Sequence, residues 1–192
     1  QAEDGIRDVE RSRGLGDVYK RQNKGLEADD LAAWIVGKKE EFNIGDIWLI
    51  SSDKDWDLLI RDGVSRFSTV TRKEITIDNW EEHYDVEPDK YLTLKCLAGD
   101  TGDNIPGIAG IGPKRAVSLI NDYGDLYDIY NSCPIDSKYK FIQSLNENAD
   151  RLLLNAELMD LESYSEQAII ESGMNIEDLS SDIKGYLNGS NN

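Results

Sequence analysis

The sequence predicts an α/β portion followed by a small helical subdomain, and three observations support this order. From Leu26 onward, apolar residues recur near one face of a helix. The run Ile47–Ile50 is short, continuous and apolar, which is typical of a strand buried on both faces of a parallel sheet. Beyond Gly99 the pattern changes to helices separated by glycines. The first part is therefore expected to carry the sheet.

The remaining elements follow from the same periodicities. Short strands are predicted at residues 64–70 and 74–77, and a helix at residues 89–98 after Pro88. Later helices are predicted at residues 113–123, 126–131, 137–146 and 149–159, with weaker helical patterns at 166–171 and 176–186.

Composition narrows the class of protein. The chain has 192 residues, with 21 Lys and Arg against 38 Asp and Glu, so its net charge is −17. No apolar run approaches the roughly 18 residues of a membrane span, which excludes a membrane partner. Cys96 and Cys133 lie far apart without a CxxC pair, so neither a disulfide framework nor a thiolate zinc site is expected. A reducing, cytoplasmic setting fits best.

The net charge opposes nonspecific DNA binding, which depends on Lys and Arg. Acidic residues gathered in one pocket can nevertheless hold cations, which reverse the field that a phosphate meets. The positions of the carboxylates therefore matter more than their sum.

Acidic residues cluster at the ends of predicted elements. The groups are Glu27, Asp29 and Asp30 at a helix start; Asp53, Asp55 and Asp57 after a strand; and Asp100 with Asp103 in a glycine-rich loop. If the chain after the strand is extended, Asp53 and Asp55 point the same way at the strand end where ligands bind.

Such clusters favour a hard cation. Magnesium prefers oxygen ligands, and two ions about 4 Å apart can clamp an in-line phosphodiester displacement. Solvated helix caps remain the alternative for these residues. A calcium EF-hand is excluded, because Leu58 and Val64 replace its required Gly and Glu.

Residues 99–115, GDTGDNIPGIAGIGPKR, form the most informative stretch. They do not match the phosphate loop of nucleotide hydrolases, because Pro113 follows Gly112 where a Lys is required. They do not match the dinucleotide fingerprint either, so no nucleotide cofactor is expected. Lys114 and Arg115 in the first turn of a helix, with its free amides, favour contact with a backbone phosphate. A tight interhelical turn with solvated basic residues is the alternative.

Three segments, Glu27–Asp30, Ser51–Asp57 and Gly99–Gly112, occur in an order and spacing that closely resemble the 5′ nuclease superfamily. That superfamily includes the phage flap endonucleases and the 5′-3′ exonuclease domain of bacterial DNA polymerase I. The resemblance implies a PIN-like α/β domain followed by a helix-three-turn-helix subdomain. It also implies metal-dependent cleavage of branched DNA at a 5′ flap during replication or repair.

The resemblance also implies roles for individual residues. A first metal site would include Glu27, Asp29, Asp30 and Asp53, and a second would draw on Asp55, Asp100 and Asp103. The ions would be magnesium, with manganese possible. Downstream duplex would lie against residues 107–115, at Gly107, Gly110, Gly112, Lys114 and Arg115, with a potassium ion on the loop carbonyls. Asp29, Asp30, Asp53, Asp55 and Lys95 are the catalytic candidates, and Lys95 is expected to orient the scissile phosphate.

The pattern of this superfamily is incomplete here. Its first apolar strand, two early aspartates and a basic helical arch are not recognisable before Asn23. We therefore expect a C-terminal fragment with an open sheet edge. The expected division is a non-native or disordered leader at 1–22, a partial nuclease domain at 23–98, a DNA-binding subdomain at 99–187 and a tail at 188–192.

Three functions remain open at this point. The first is a structure-specific 5′ nuclease, expected to be monomeric. The second is a fragment that binds duplex DNA but cuts nothing. The third is an acidic interaction protein whose carboxylates are solvated surface.

Overall fold

A computed structural model describes residues 26–189. The predicted leader at 1–22 and residues 190–192 of the predicted tail lie outside this range. The helices are α1 (Ala28–Gly37), α2 (Tyr91–Ala98), α3 (Pro113–Tyr123), α4 (Leu126–Ser132), α5 (Lys140–Glu147), α6 (Asp150–Met159), α7 (Leu161–Glu171) and α8 (Ile176–Gly189). The strands are β1 (Ile47–Ile50), β2 (Val64–Ser68), β3 (Lys73–Ile75), β4 (Gly99–Asp100) and β5 (Ile105–Pro106).

The main sheet has the order β1-β2-β3. β1 pairs in parallel with β2, with Ile47 opposite Val64, whereas β2 and β3 are antiparallel. The predicted parallel pairing is found between β1 and β2, and β3 is added antiparallel at the edge.

The prediction that β1 is buried on both faces is wrong. Leu49 is buried against the α1 side, but Trp48 is 50% exposed and Ile50 is 59% exposed. The physical reason is that successive side chains of a strand point to opposite faces. Ile47 and Leu49 pack against α1, whereas Trp48 and Ile50 lie on the other face, which residues 26–189 leave largely exposed. The apolar run reflects a strand with one covered face and one open face.

Several helix boundaries differ from the predicted ones, and at α7 a capping side chain explains the difference. α7 begins five residues earlier than the predicted segment at 166–171, because the Asp160 carboxylate accepts hydrogen bonds from the amides of Glu162 and Ser163. α5 begins at Lys140, later than predicted. α8 continues through Gly189, so the first two residues of the predicted tail are helical. No helix in the described range is long and apolar enough to cross a membrane.

The largest core crosses the predicted domain boundary at residue 98. It joins Trp80 and Leu97 to Leu119, Leu145 and Leu152, and α2 packs against both α3 and α6. α2 is thus the element through which the sheet and the later helices share one core.

Asn155 fixes the start of the glycine loop from within this core. Its side chain is buried, and its amide Nδ2 donates to the carbonyl of Cys96 at 2.9 Å and to that of Pro106 at 3.0 Å. These bonds tie α6 to the end of α2 and to β5. A polar side chain in this core is therefore a connector between three elements.

Replacing Asn155 with Ala is expected to lower the free energy of unfolding by roughly 1–3 kcal/mol, because it removes both donors from buried carbonyls. Urea denaturation of the variant measures the change. Asn148→Ala is the matched control, since its Nδ2 bonds the Ser144 carbonyl at an exposed site. Equal losses in the two variants would contradict the connecting role of Asn155.

Candidate functional site

Three carboxylates meet around one buried lysine. The ligand oxygens of Asp55, Asp100 and Asp103 all lie within 4.8 Å of one another, the one such group of three acidic, His or Cys side chains within residues 26–189. Lys95 Nζ lies 2.9 Å from Asp100 Oδ2 and forms a short ion pair with Asp55. The site therefore contains more negative charge than its lysine neutralises.

Three elements position these four side chains. Asp55 begins a short 3₁₀ helix, Asp55–Leu59, that follows β1. Lys95 extends from the buried side of α2, and only 6% of its surface is exposed. Asp100 and Asp103 belong to the hairpin of β4 and β5, where Asp100 Oδ1 accepts a hydrogen bond from the Gly102 amide at 2.7 Å.

The charges shift the pKa values in opposite directions. Burial lowers the pKa of Lys95, but hydrogen bonds to Asp55 and Asp100 outweigh it, so that pKa is raised overall. The hydrogen bond from Lys95 lowers the pKa of Asp100. The hydrogen bond between Asp103 and Asp55, with the charge of Asp55, raises the pKa of Asp103. Like charges are thus crowded at Asp103, which is the condition a bound cation would relieve.

The predicted first-site residues are less closely gathered. Asp29 accepts a hydrogen bond from the Trp56 indole N–H at 2.7 Å. Burial raises the pKa of Asp29, and the charges of Asp53 and Asp55 act in the same direction. Asp29 therefore lies within electrostatic reach of both later carboxylates.

The other first-site candidates take part in local caps and turns. The Asp30 carboxylate accepts a hydrogen bond from the Glu27 amide at 3.2 Å, as in a capping box at the start of α1. The exposed Asp53 accepts from the Asp55 amide at 3.0 Å, so these residues form a turn instead of the extended chain considered above. Glu27, Asp30 and Asp53 do not join the cluster of three.

Trp56 is a contributor that the sequence reasoning missed. Its indole ties Asp29 of α1 to the turn after β1. The available signal was its place between Asp55 and Asp57, where an aromatic residue interrupts an otherwise polar segment.

Asp57 has a different role from Asp55, although both belong to the same acidic group in the sequence. Asp57 is buried, and its carboxylate accepts two hydrogen bonds from the Arg66 guanidinium, one of them at 2.8 Å. The Tyr84 hydroxyl also donates to it. Both carboxylate oxygens of Asp57 are therefore occupied by hydrogen bonds within the core.

The glycine loop is held by close backbone packing at its base. A Cβ on Gly107 would lie 2.3 Å from the Ala98 carbonyl carbon, and Gly99 has φ of +79°. Both positions therefore require glycine for packing of the hairpin. The predicted DNA-contact role of Gly107 thus falls on a partly buried residue, whereas Gly110 and Gly112 are exposed.

The two basic candidates lie at the start of α3. Lys114 and Arg115 are exposed, and Pro113 is the first helical residue, as predicted. The Arg115 guanidinium donates to the Gly110 carbonyl and lies 4.7 Å from the centre of the Phe141 ring. Lys114 is therefore the more available cation for a phosphate.

Comparisons with known proteins identify the family of this chain. Residues 86–181 match the family described as 5′-3′ exonuclease, C-terminal SAM fold. The chain is 42% identical over 156 residues to the flap endonuclease of Escherichia phage T5, covering 81% of this chain and 53% of that protein. It is 34% identical over 140 residues to DNA polymerase I of Rhizobium leguminosarum, covering 73% of this chain and 14% of that protein.

Solved structures show the same fold. A T5 5′-exonuclease structure with bound zinc matches with a TM-score of 0.76 at 39% identity, covering 84% of this chain and 60% of that one. A complex of T5 flap endonuclease with DNA and metal ions also matches with a TM-score of 0.76, at 40% identity, covering 83% of this chain and 59% of that one.

The chain therefore belongs to the 5′ nuclease superfamily. The predicted fold class, an α/β part followed by a helical part, is confirmed by the T5 structures. The chain spans about half the length of the T5 flap endonuclease, 53%.

The buried ion pair between Asp57 and Arg66 allows a test of the structural role assigned to Asp57. Asp57→Asn is expected to lower the free energy of unfolding by about 3–5 kcal/mol, because it leaves the buried Arg66 without its counter-charge. Chemical denaturation measures the loss, and Asp62→Asn, at an exposed position, is the control. An Asp57→Asn protein as stable as the unaltered chain would contradict a structural role for this carboxylate.

Proposed function

We propose that this chain supplies part of the metal site and the duplex-binding surface of a structure-specific 5′-3′ exonuclease and flap endonuclease. The observation that carries the proposal is the cluster of Asp55, Asp100 and Asp103 around Lys95. Its substrate would be branched or 5′-flap DNA, as the printed names of its relatives suggest. Its setting would be the cytoplasm of a bacterium or of a phage-infected host.

The residues at the cluster fit a hard divalent cation. Three carboxylates against one ammonium leave an excess of two negative charges, and all available ligand atoms are oxygens. The hydrogen bond of Asp103 with Asp55, followed by the charge of Asp55, raises the pKa of Asp103. Magnesium, with manganese as a substitute, is the cation that we propose.

We assign the second ion to the cluster of Asp55, Asp100 and Asp103. The first ion would draw on Asp29 and Asp53, with Glu27 and Asp30 available if the start of α1 rearranges. When bound, two such ions supply a hydroxide and neutralise the charge that develops on the phosphate. Asp29 lies close enough to Asp53 and Asp55 for their charges to raise its pKa, in addition to the effect of its burial.

Lys95 serves as a positioning residue in this proposal. Its ammonium holds Asp55 and Asp100 in one place, although these residues come from different parts of the chain. Its burial keeps the charge directed into the cluster, so that a phosphate bound there meets a fixed cation. This agrees with the expectation that Lys95 orients the scissile phosphate.

The duplex would lie against the loop at 107–112 and the start of α3. Exposed Lys114 and the free amides of the first helical turn suit a backbone phosphate. A potassium ion on the loop carbonyls is part of this proposal, and Gly110 and Gly112 are the exposed glycines there.

Cleavage of an end-labelled 5′-flap DNA tests the enzymatic proposal. With magnesium we expect products cut near the junction, and with chelator none. Asp55→Asn is expected to reduce cutting by roughly 100-fold or more, because even outer-shell changes at metal sites cost 10–100-fold. Asp62→Asn should cut like the unaltered chain.

The result also separates the second candidate function, a fragment that binds duplex DNA without cutting. That candidate is favoured by the observation that three of the seven predicted ligands are gathered. Binding of duplex with no cutting at any magnesium concentration would support it and contradict the enzymatic proposal for this chain.

Lys114→Ala is expected to weaken duplex binding to the same extent for different DNA sequences, because a phosphate contact carries no base information. It should also reduce the slope of the salt dependence by about one. Fluorescence anisotropy at several salt concentrations measures both. A loss confined to particular sequences would contradict a phosphate contact at Lys114.

A further inference from the structure

A groove lies beside the start of α3, next to the surface assigned to the duplex and away from the carboxylate cluster. It has a volume of about 360 Å³ and lies between α3 and the segment that leads into α5. Lys114, Arg115 and Tyr123 line one wall, and Tyr139 and Phe141 line the other. We call it the α3–α5 groove.

The wall on the α5 side presents stacked aromatic rings to solvent. Tyr139 is 59% exposed and stacks on Phe141, with ring centroids 5.7 Å apart and planes 22° apart. Tyr123 is 36% exposed on the opposite wall. An exposed aromatic stack leaves a flat apolar surface available for another ring.

Cations surround these rings. The Arg115 guanidinium lies over Phe141, and the exposed Lys138 and Lys140 flank Tyr139 in the sequence. Among the described residues, none forms an ion pair with Lys114, Lys138 or Lys140. The acidic residues on the groove walls are Asp122 and Asp136.

The charged side chains on the groove walls balance, two cations against two carboxylates, on a chain whose net charge is −17. The exposed Lys138 and Lys140, one on each side of Tyr139 in the sequence, add two cations next to the aromatic wall. Cations that alternate with exposed aromatics match a polyanion whose planar rings are accessible. In a duplex the bases are stacked on each other, whereas in a single strand each base has a free face.

We propose that the α3–α5 groove binds an unpaired stretch of DNA, with one base stacked on Tyr139 and the neighbouring phosphates near Lys138 and Lys140. This inference rests on the proposed function, because it places single-stranded DNA beside the surface assigned to the duplex. The site would be tolerant of sequence, since every base has a face that can stack.

Anisotropy with two labelled probes tests the groove. One probe is an oligothymidylate of about 12 nucleotides, within the range of known single-strand sites, and the other is a short blunt duplex. Tyr139→Ala is expected to weaken oligothymidylate binding by about tenfold, the loss of one base–aromatic stack, and to leave duplex binding unchanged. Tyr139→Phe should bind both probes like the unaltered chain.

Tyr127→Ala is the matched control. Tyr127 is 62% exposed on α4 and does not line the groove, so its replacement should change neither affinity. Circular dichroism confirms that each variant is folded. A 2-aminopurine in the single strand gives a direct readout of stacking, because its fluorescence should be quenched by the unaltered chain and by Tyr139→Phe, and not by Tyr139→Ala.

Three outcomes would overturn the inference: no binding of the single strand, equal loss in Tyr139→Ala and Tyr127→Ala, or equal loss of both probes in Tyr139→Ala. Magnesium-dependent flap cleavage and the effect of Lys114→Ala on duplex binding report on the proposed function without Tyr139. If the chain cuts flaps and binds duplex but shows any of these three outcomes, single-strand binding by the α3–α5 groove is refuted and the proposed function stands.

Discussion

The ion pairs of Lys95 are the interaction on which the rest of the site depends. Lys95 projects from the helix that joins the sheet to the later helices, and it contacts carboxylates from the turn after β1 and from the β4–β5 hairpin. An ammonium buried without partners would be costly, so ion pairs with both carboxylates stabilise the fold. The same ion pairs bring Asp55 and Asp100 together before any cation binds. Packing and chemistry are thus coupled at a single side chain.

The hairpin that carries Asp100 is equally constrained from its other side. Asn155 bonds the carbonyl of Cys96 in α2 and that of Pro106 in β5, and the Gly99 and Gly107 backbones are too close to other backbone atoms to admit a Cβ. The position of Asp100 and Asp103 is therefore set by the core together with the glycines at the base of the hairpin. This explains why a short, glycine-rich and solvent-facing segment can hold acidic groups at fixed positions.

The sequence predicted the helices after Gly99 well, because prolines, glycines and capping aspartates mark their ends. It predicted the start of α3 at Pro113 and the approach of Asp55, Asp100 and Asp103. Spacing alone did not separate Asp55 from Asp57, and the resemblance was what gave Asp55 a metal-site role and Asp57 none. The 3₁₀ turn there sends one carboxylate to Lys95 and the other to Arg66. The prediction failed for β1, because an apolar run gives no indication of which neighbours cover it. Both points concern tertiary partners, which local patterns do not encode.

The open face of β1 has a consequence for the chain in solution. Trp48 and Ile50 lie side by side on a strand with a free edge in the described range, which is the type of surface that recruits strands from other molecules. The net charge of −17 opposes such encounters, because two copies repel each other at low ionic strength. Salt that screens this repulsion removes the barrier and leaves the attraction intact. The net negative charge of the chain therefore opposes self-association through the exposed strand β1, and this opposition weakens as ionic strength rises.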